Sequence, residues 1–150
     1  MLIFHASWCG WCKKMEASLN EPNIKPMIDA NYVVATLDVM EREQPAKKNL
    51  ENPGSLEVMT KLKGEKAGLP FWVVMDAQGK VLGDSQVRPA GASLDTYGEN
   101  VGCPAAPDEV AFFTKILKST SKLNDKQLAV IAKRFAQNAP APVAKPAGTK

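Results

Sequence analysis

The sequence predicts an α/β fold in which one mixed sheet is packed by helices. Three observations carry that expectation. A strand-like run, a helical run and a second strand-like run follow one another over residues 2–37. A short apolar segment, a four-residue turn and a second apolar segment over residues 71–82 read as an antiparallel hairpin. Two stretches with apolar residues at helical spacing then close the chain after Pro107. Strand–helix–strand order implies a parallel crossover, and the hairpin adds antiparallel strands to the same sheet.

Leu2-Ile3-Phe4 is a short buried strand leading into the loop His5-Ala6-Ser7. From Cys9 the spacing becomes helical through Cys12, Met15, Glu16 and Leu19, until Asn20-Glu21-Pro22 interrupts it. Ile24, Met27 and Ile28 make a second helical stretch that stops near Asn31. Residues 32–37, Tyr-Val-Val-Ala-Thr-Leu, are β-branched and aromatic without a breaker, which predicts a strand buried on both faces. Residues 38–52 are polar and read as an ordered loop. Asn52-Pro53-Gly54-Ser55 is a turn cluster with Ser55 as the expected helix cap, and Leu56, Met59 and Leu62 form one helical stripe ended by Gly64 and Gly68. Asp76-Ala77-Gln78-Gly79 is the hairpin turn.

Residues 83–103 hold four glycines and few apolar side chains, so a long surface excursion is expected there. Pro107-Asp108-Glu109 opens a helix with Val110, Phe113, Ile116 and Leu117 on one face. The last helix, residues 124–137, carries a cap at Asn124, Gln127 three residues on, and a Leu123–Leu128 staple. Its apolar face of Leu128, Ile131 and Phe135 should pack on the rest of the chain. The division that follows is one domain over residues 1–138 and a disordered Pro/Ala-rich tail over residues 139–150.

Composition narrows the function. With 150 residues, 45% hydrophobic and 23% charged, the chain has ordinary globular usage. No apolar run approaches the ~20 residues of a membrane helix. A net charge of +3, with Lys13-Lys14 and Lys47-Lys48 its adjacent lysine pairs, is too small and scattered to indicate nucleic-acid binding. Arg88, Lys47 and Lys48 are read as solvated surface. No secretory leader opens the chain as given, which leaves its compartment open.

Three cysteines exclude a disulfide-dense scaffold. Cys9 and Cys12 form a CxxC at the start of a helix, where unpaired N–H groups and the positive dipole end favour a thiolate. Nucleophiles so placed have pKa values of roughly 3.5–7.5, against ~8.5 for a free cysteine. Cys12, one turn along, is placed to resolve a mixed disulfide. A zinc site needs four soft ligands, and Cys9, Cys12, Cys103 and His5 are all that the chain offers. Metal binding is therefore disfavoured, and no cofactor is expected. Cys103 reads as an inert thiol in preference to a redox partner. His5, the single histidine, is read first as a packed polar residue and second as a proton carrier for the site. Trp8 and Trp11 suit an apolar rim around the thiols, and Trp72 the core.

The segment Phe4-His5-Ala6-Ser7-Trp8-Cys9-Gly10-Trp11-Cys12-Lys13 resembles the active-site stretch of the thioredoxin superfamily. Asn52-Pro53-Gly54 with the helix after it, and Gly68-Leu69-Pro70 before Phe71-Trp72, are similar to the family's approach to its third strand and to its cis-proline loop. The likeness covers residues 1–83 and, more loosely, the helix from Pro107. The long excursion and two-helix end resemble exported bacterial members of the family, which implies a periplasmic or exported setting over a cytoplasmic one. What the resemblance implies is a thioredoxin-like fold reduced to its minimal core: a βαβ unit, a helix, an antiparallel hairpin and a closing helix, here with an extra C-terminal helix. The strand and helix that open a full thioredoxin are not seen in this sequence, which implies either the minimal core or an N-terminally shortened chain.

The implied activity is thiol–disulfide exchange, with Cys9 as nucleophile and Cys12 as resolving thiol. Substrate contacts would come from Trp8, Gly10, Trp11, Leu69 and Pro70. The implied partners are protein dithiols and disulfides, with the chain itself a monomer; the alternative is a non-catalytic peptide-binding module on the same scaffold. Two departures stand out. Ile3 occupies the place of a buried acid that assists the second cysteine, and the dipeptide between the cysteines is Gly-Trp. The direction of electron flow is therefore open over a family range of about 150 mV, roughly 7 kcal/mol.

Overall fold

The computed structural model describes residues 1–42 and 49–142. The Lys47-Lys48 pair, the middle of the loop over residues 38–52 and residues 143–150 of the expected tail lie outside the described residues. The order of elements is β1 (Leu2–His5), α1 (Gly10–Leu19), α2 (Lys25–Asp29), β2 (Ala35–Asp38), α3 (Ser55–Lys61), β3 (Phe71–Met75), β4 (Val81–Asp84), β5 (Gln86–Val87), β6 (Glu99–Asn100), α4 (Pro107–Thr120) and α5 (Asp125–Ala136). Four strands form one sheet in the order β2-β1-β3-β4. β1 and β2 are parallel, whereas β3 runs antiparallel to both β1 and β4.

Alternation along the strands divides the core between the two sheet faces. Ile3, Trp72 and Val74 face one side, where they meet Met15, Leu19, Ile28, Phe113, Leu117, Ile131 and Phe135. Phe4, Phe71 and Val73 face the other side and pack with Val39 and Met59. The Trp72 and Phe113 rings meet edge-on at 5.2 Å, and Phe113 continues onto Phe135 at 4.8 Å. The apolar face of α5 thus joins the main core. Its start carries the expected reciprocal cap: Gln127 N–H donates to Asn124 Oδ1 at 2.9 Å, and Asn124 N–H donates to Gln127 Oε1 at 3.0 Å.

Four expectations need correction. The strand predicted over residues 32–37 is shorter, and it is not buried on both faces. β2 has only β1 as a neighbour, so Ala35 and Thr36 stay exposed and Val33 before it is 87% exposed. The doubly buried strands are the two central ones, β1 between β2 and β3 and β3 between β1 and β4. Ser55 does not cap α3: Gly54, at φ 78°, holds that place, and Ser55 Oγ donates to Asp38 O at 2.7 Å instead.

The excursion over residues 83–103 is not a simple surface loop. It contains the end of β4 and the two-stranded β5–β6 sheet, with Asp84, Ser85, Gln86 and Cys103 buried. Gly98 permits the close return, because a Cβ there would lie 2.5 Å from Val87 O. Finally, Arg88 is not solvated surface. Its side chain is 5% exposed and closes on Asp84, while its Nε donates to Thr96 O at 2.8 Å and Nη2 to Leu94 O at 3.2 Å. One guanidinium thereby ties Asp84 to the Leu94–Thr96 stretch of the loop.

Candidate active site

Cys9 is the N-cap of α1, with extended backbone angles of φ −84° and ψ 108°. Its Sγ accepts the Cys12 N–H at 3.1 Å, and its own N–H donates to Ala6 O at 3.0 Å. Cys9 and Cys12 are joined as a disulfide across a Cα–Cα distance of 5.3 Å. Both are buried, Cys12 at 2% exposed more deeply than Cys9 at 5%. Reduction would leave the Cys9 sulfur facing an amide donor and the first turn of a helix, a setting that stabilises negative charge.

Leu69 packs against the cluster of Ala6, Cys9 and Cys12. The Leu69–Pro70 peptide is cis, and Pro70 is buried where the chain enters β3. Trp8 and Trp11 flank the disulfide at 40% and 41% exposed. Trp8 is held from behind by Nε1 donating to Met40 O at 2.8 Å, and the Arg42 guanidinium lies 4.2 Å from its ring centre. Lys14 Nζ sits 4.3 Å from the Trp11 ring centre. Gly10, the first residue of α1, is exposed beside them. The Glu41 carboxylate accepts both Ser7 N–H and Ser7 Oγ–H at 2.6 Å, which fixes the turn leading into Trp8.

His5 ends β1, and the parallel register sets it opposite Asp38 at the end of β2. The two side chains meet with Nδ1 2.7 Å from Asp38 Oδ1. Ile3, His5 and Cys12 all line one cavity of about 310 Å³ beside α1, along with Glu16, Lys25 and Thr36. Ile3, at the family's acid position, is 6% exposed. Cys103 lies apart from this cluster in the main core, where Asn138 Nδ2 approaches its Sγ at 3.5 Å. Burial pushes its thiol up to about 12, with Lys14 opposing that shift and Glu109 adding to it. Among the described residues, no three His, Cys, Asp or Glu side chains converge as a metal site. No described helix is long and apolar enough to cross a membrane.

Sequence reading missed the groups that hold the site from behind: Met40, Glu41 and Arg42 after β2, and Asn100, whose Nδ2 donates to Pro70 O at 3.1 Å. The Asp84/Arg88 spacing was the one available signal for the loop, and it lies outside any helix.

The family described as the thioredoxin-like domain matches residues 1–90, which span the sheet, the cysteine pair and the Leu69–Pro70 loop. The chain belongs to this family. Searches of curated proteins and of solved structures found no match. A thioredoxin-like domain with two cysteines at disulfide distance on its first helix fits a redox role.

Proposed function

We propose that the chain is a thiol–disulfide oxidoreductase acting on protein substrates. The observation that supports it best is the placement of Cys9 as the cap of α1, with its sulfur accepting the Cys12 N–H. In the reduced protein, the Cys9 thiolate attacks one sulfur of a substrate disulfide and releases the other as a thiolate. Cys12 then gives up its proton and attacks Cys9 in the mixed disulfide. The Cys9–Cys12 disulfide forms, the second substrate thiolate leaves, and two electrons have passed to the substrate. A dithiol protein returns the pair to its reduced form. Trp8, Gly10, Trp11 and the Leu69–Pro70 loop border the sulfurs and receive the substrate chain. His5, oriented by Asp38 on the cavity it shares with Cys12, takes the Cys12 proton.

The test is reduction of an insulin-type disulfide together with alkylation of the reduced chain. Cys9→Ser should abolish turnover, and Cys12→Ser should accumulate mixed disulfides. Cys9 should alkylate faster than Cys12 at neutral pH. A wild-type chain that binds peptides without reducing any disulfide would move the assignment to a peptide-binding module.

A further inference from the structure

The insert between β4 and α4 reaches the Leu69–Pro70 loop with its own side chains. Asn100 Nδ2 donates to Pro70 O at 3.1 Å, and its Oδ1 accepts Gly102 N–H at 3.2 Å. Gly102 O in turn accepts Trp72 Nε1 at 2.9 Å. Ser85 Oγ accepts Trp72 N–H at 3.1 Å, and Ser85 O accepts Val101 N–H at 2.7 Å. Residues 70–72 are therefore tied from one side by a single insert, whose root is the Asp84–Arg88 ion pair.

Leu69, the next residue back, is different. It is half-buried against Cys9 and Cys12, and among the described residues neither its N–H nor its C=O has a hydrogen-bond partner. Both backbone groups are free to pair with a chain that runs past the disulfide.

We propose that Asn100 is a positioning residue that holds Pro70 so that the Leu69 backbone is fixed for pairing with a protein substrate. The inference rests on the oxidoreductase reading above and adds to it the source of preference for protein disulfides over small ones. A small disulfide reaches the Cys9 sulfur without using the Leu69 backbone. A polypeptide substrate does use it, and a loosened loop must be ordered again at each encounter, which raises the cost of binding.

The experiment compares the full chain with Asn100→Asp and Asn100→Ala on a protein disulfide and on a small aromatic disulfide. Asn100→Asp keeps the size of the side chain and the acceptor for Gly102, but turns the donor to Pro70 into a charged acceptor, and Asn100→Ala removes the donor without adding charge. KM for the protein substrate should rise about threefold to tenfold, the worth of one ordinary hydrogen bond, with little change in kcat. Turnover of the small disulfide and the reduction potential of the Cys9–Cys12 pair should stay at wild-type values. An unchanged protein KM in Asn100→Asp, or an equal loss on both substrates, overturns the proposal while leaving the oxidoreductase reading intact. A wild-type chain inactive on both substrates overturns the two together.

Discussion

Arg88 and Asp84 form a two-pronged ion pair, Nη1 to Oδ1 and Nη2 to Oδ2 at 2.7 Å each, with side chains 5% and 2% exposed. Two charges so far out of water are tolerable only as a matched pair. Arg88→Ala leaves the Asp84 carboxylate buried with its Gln86 N–H contact but no counter-charge. Such a change should cost about 3–5 kcal/mol of stability. Arg88→Lys keeps the charge, loses the two-pronged pairing with Asp84 and the bonds to Thr96 and Leu94, and should fall between wild type and Arg88→Ala. Urea unfolding is the measurement, and a loss within about 0.5 kcal/mol for Arg88→Ala, the range of ordinary surface changes, would contradict the structural role.

The contrast between Arg88 and Asn124 shows what a sequence can disclose. Asn124 and Gln127 cap α5 through bonds between neighbours three residues apart, so the sequence contains the whole device. The same holds for the Cys9–Cys12 spacing, and the helix it opens makes the sulfur environment legible. Arg88 looked solvated because Asp84, four residues away, is brought to it by the path of the insert and not by a helix, so their spacing carries no helical signature. Residues 32–37 looked like a central strand because they are β-branched and aromatic, whereas β2 falls at the edge of the sheet, a position that composition does not encode. The Asn100–Pro70 contact joins residues 30 apart and has no local signature at all.

Ile3 leads to a prediction about the resolving step. It lines the cavity beside Cys12 where a carboxylate would receive the Cys12 proton. Ile3→Asp should therefore speed the release of a mixed disulfide near neutral pH, at a clear loss of stability for placing a carboxylate in an apolar site. His5→Gln should slow the same step without slowing Cys9 alkylation, because it removes the imidazole proposed to take the Cys12 proton and leaves the helix start untouched. Stopped-flow decay of the mixed disulfide separates the two steps. A folded Ile3→Asp chain that resolves no faster, or a His5→Gln chain that resolves at the wild-type rate, would remove these residues from the proton path.

Cys103 should behave as an inert thiol. Burial raises it from an ordinary value of 9.0 to about 12, so the folded chain keeps its proton over a range in which the unfolded chain has lost it. Its contribution to stability is complete below pH 9 and declines as pH climbs from 9 toward 12. Native protein should resist alkylation at Cys103 at pH 8 and react there once unfolded. Cys103→Ala should flatten the alkaline part of the stability profile and leave disulfide exchange unchanged. Rapid labelling of Cys103 in the native state would rule out the buried placement.

The last prediction concerns α5, whose sequence match to the family is absent beyond residue 90. Phe135 is fully buried against Phe113, which in turn meets Trp72 on the central strand β3. Asn138 extends the attachment: its Nδ2 donates to Ser18 Oγ at 2.9 Å, and its carbonyl accepts Lys14 Nζ at 3.2 Å, so the end of α5 is tied to the helix that carries Cys12. Removing the Phe135 ring should cost about 3–5 kcal/mol. Val130, on the outer face at 41% exposed, supplies the matched control, and Val130→Ala should change stability by no more than about 0.5 kcal/mol. Because Ser18 and Lys14 share a helix with the cysteine pair, Phe135→Ala should also increase amide hydrogen exchange in the last turn of α1. Equal stability of the two variants would mean that α5 is not part of the cooperative core, and unchanged exchange in α1 would uncouple it from the helix that carries Cys12.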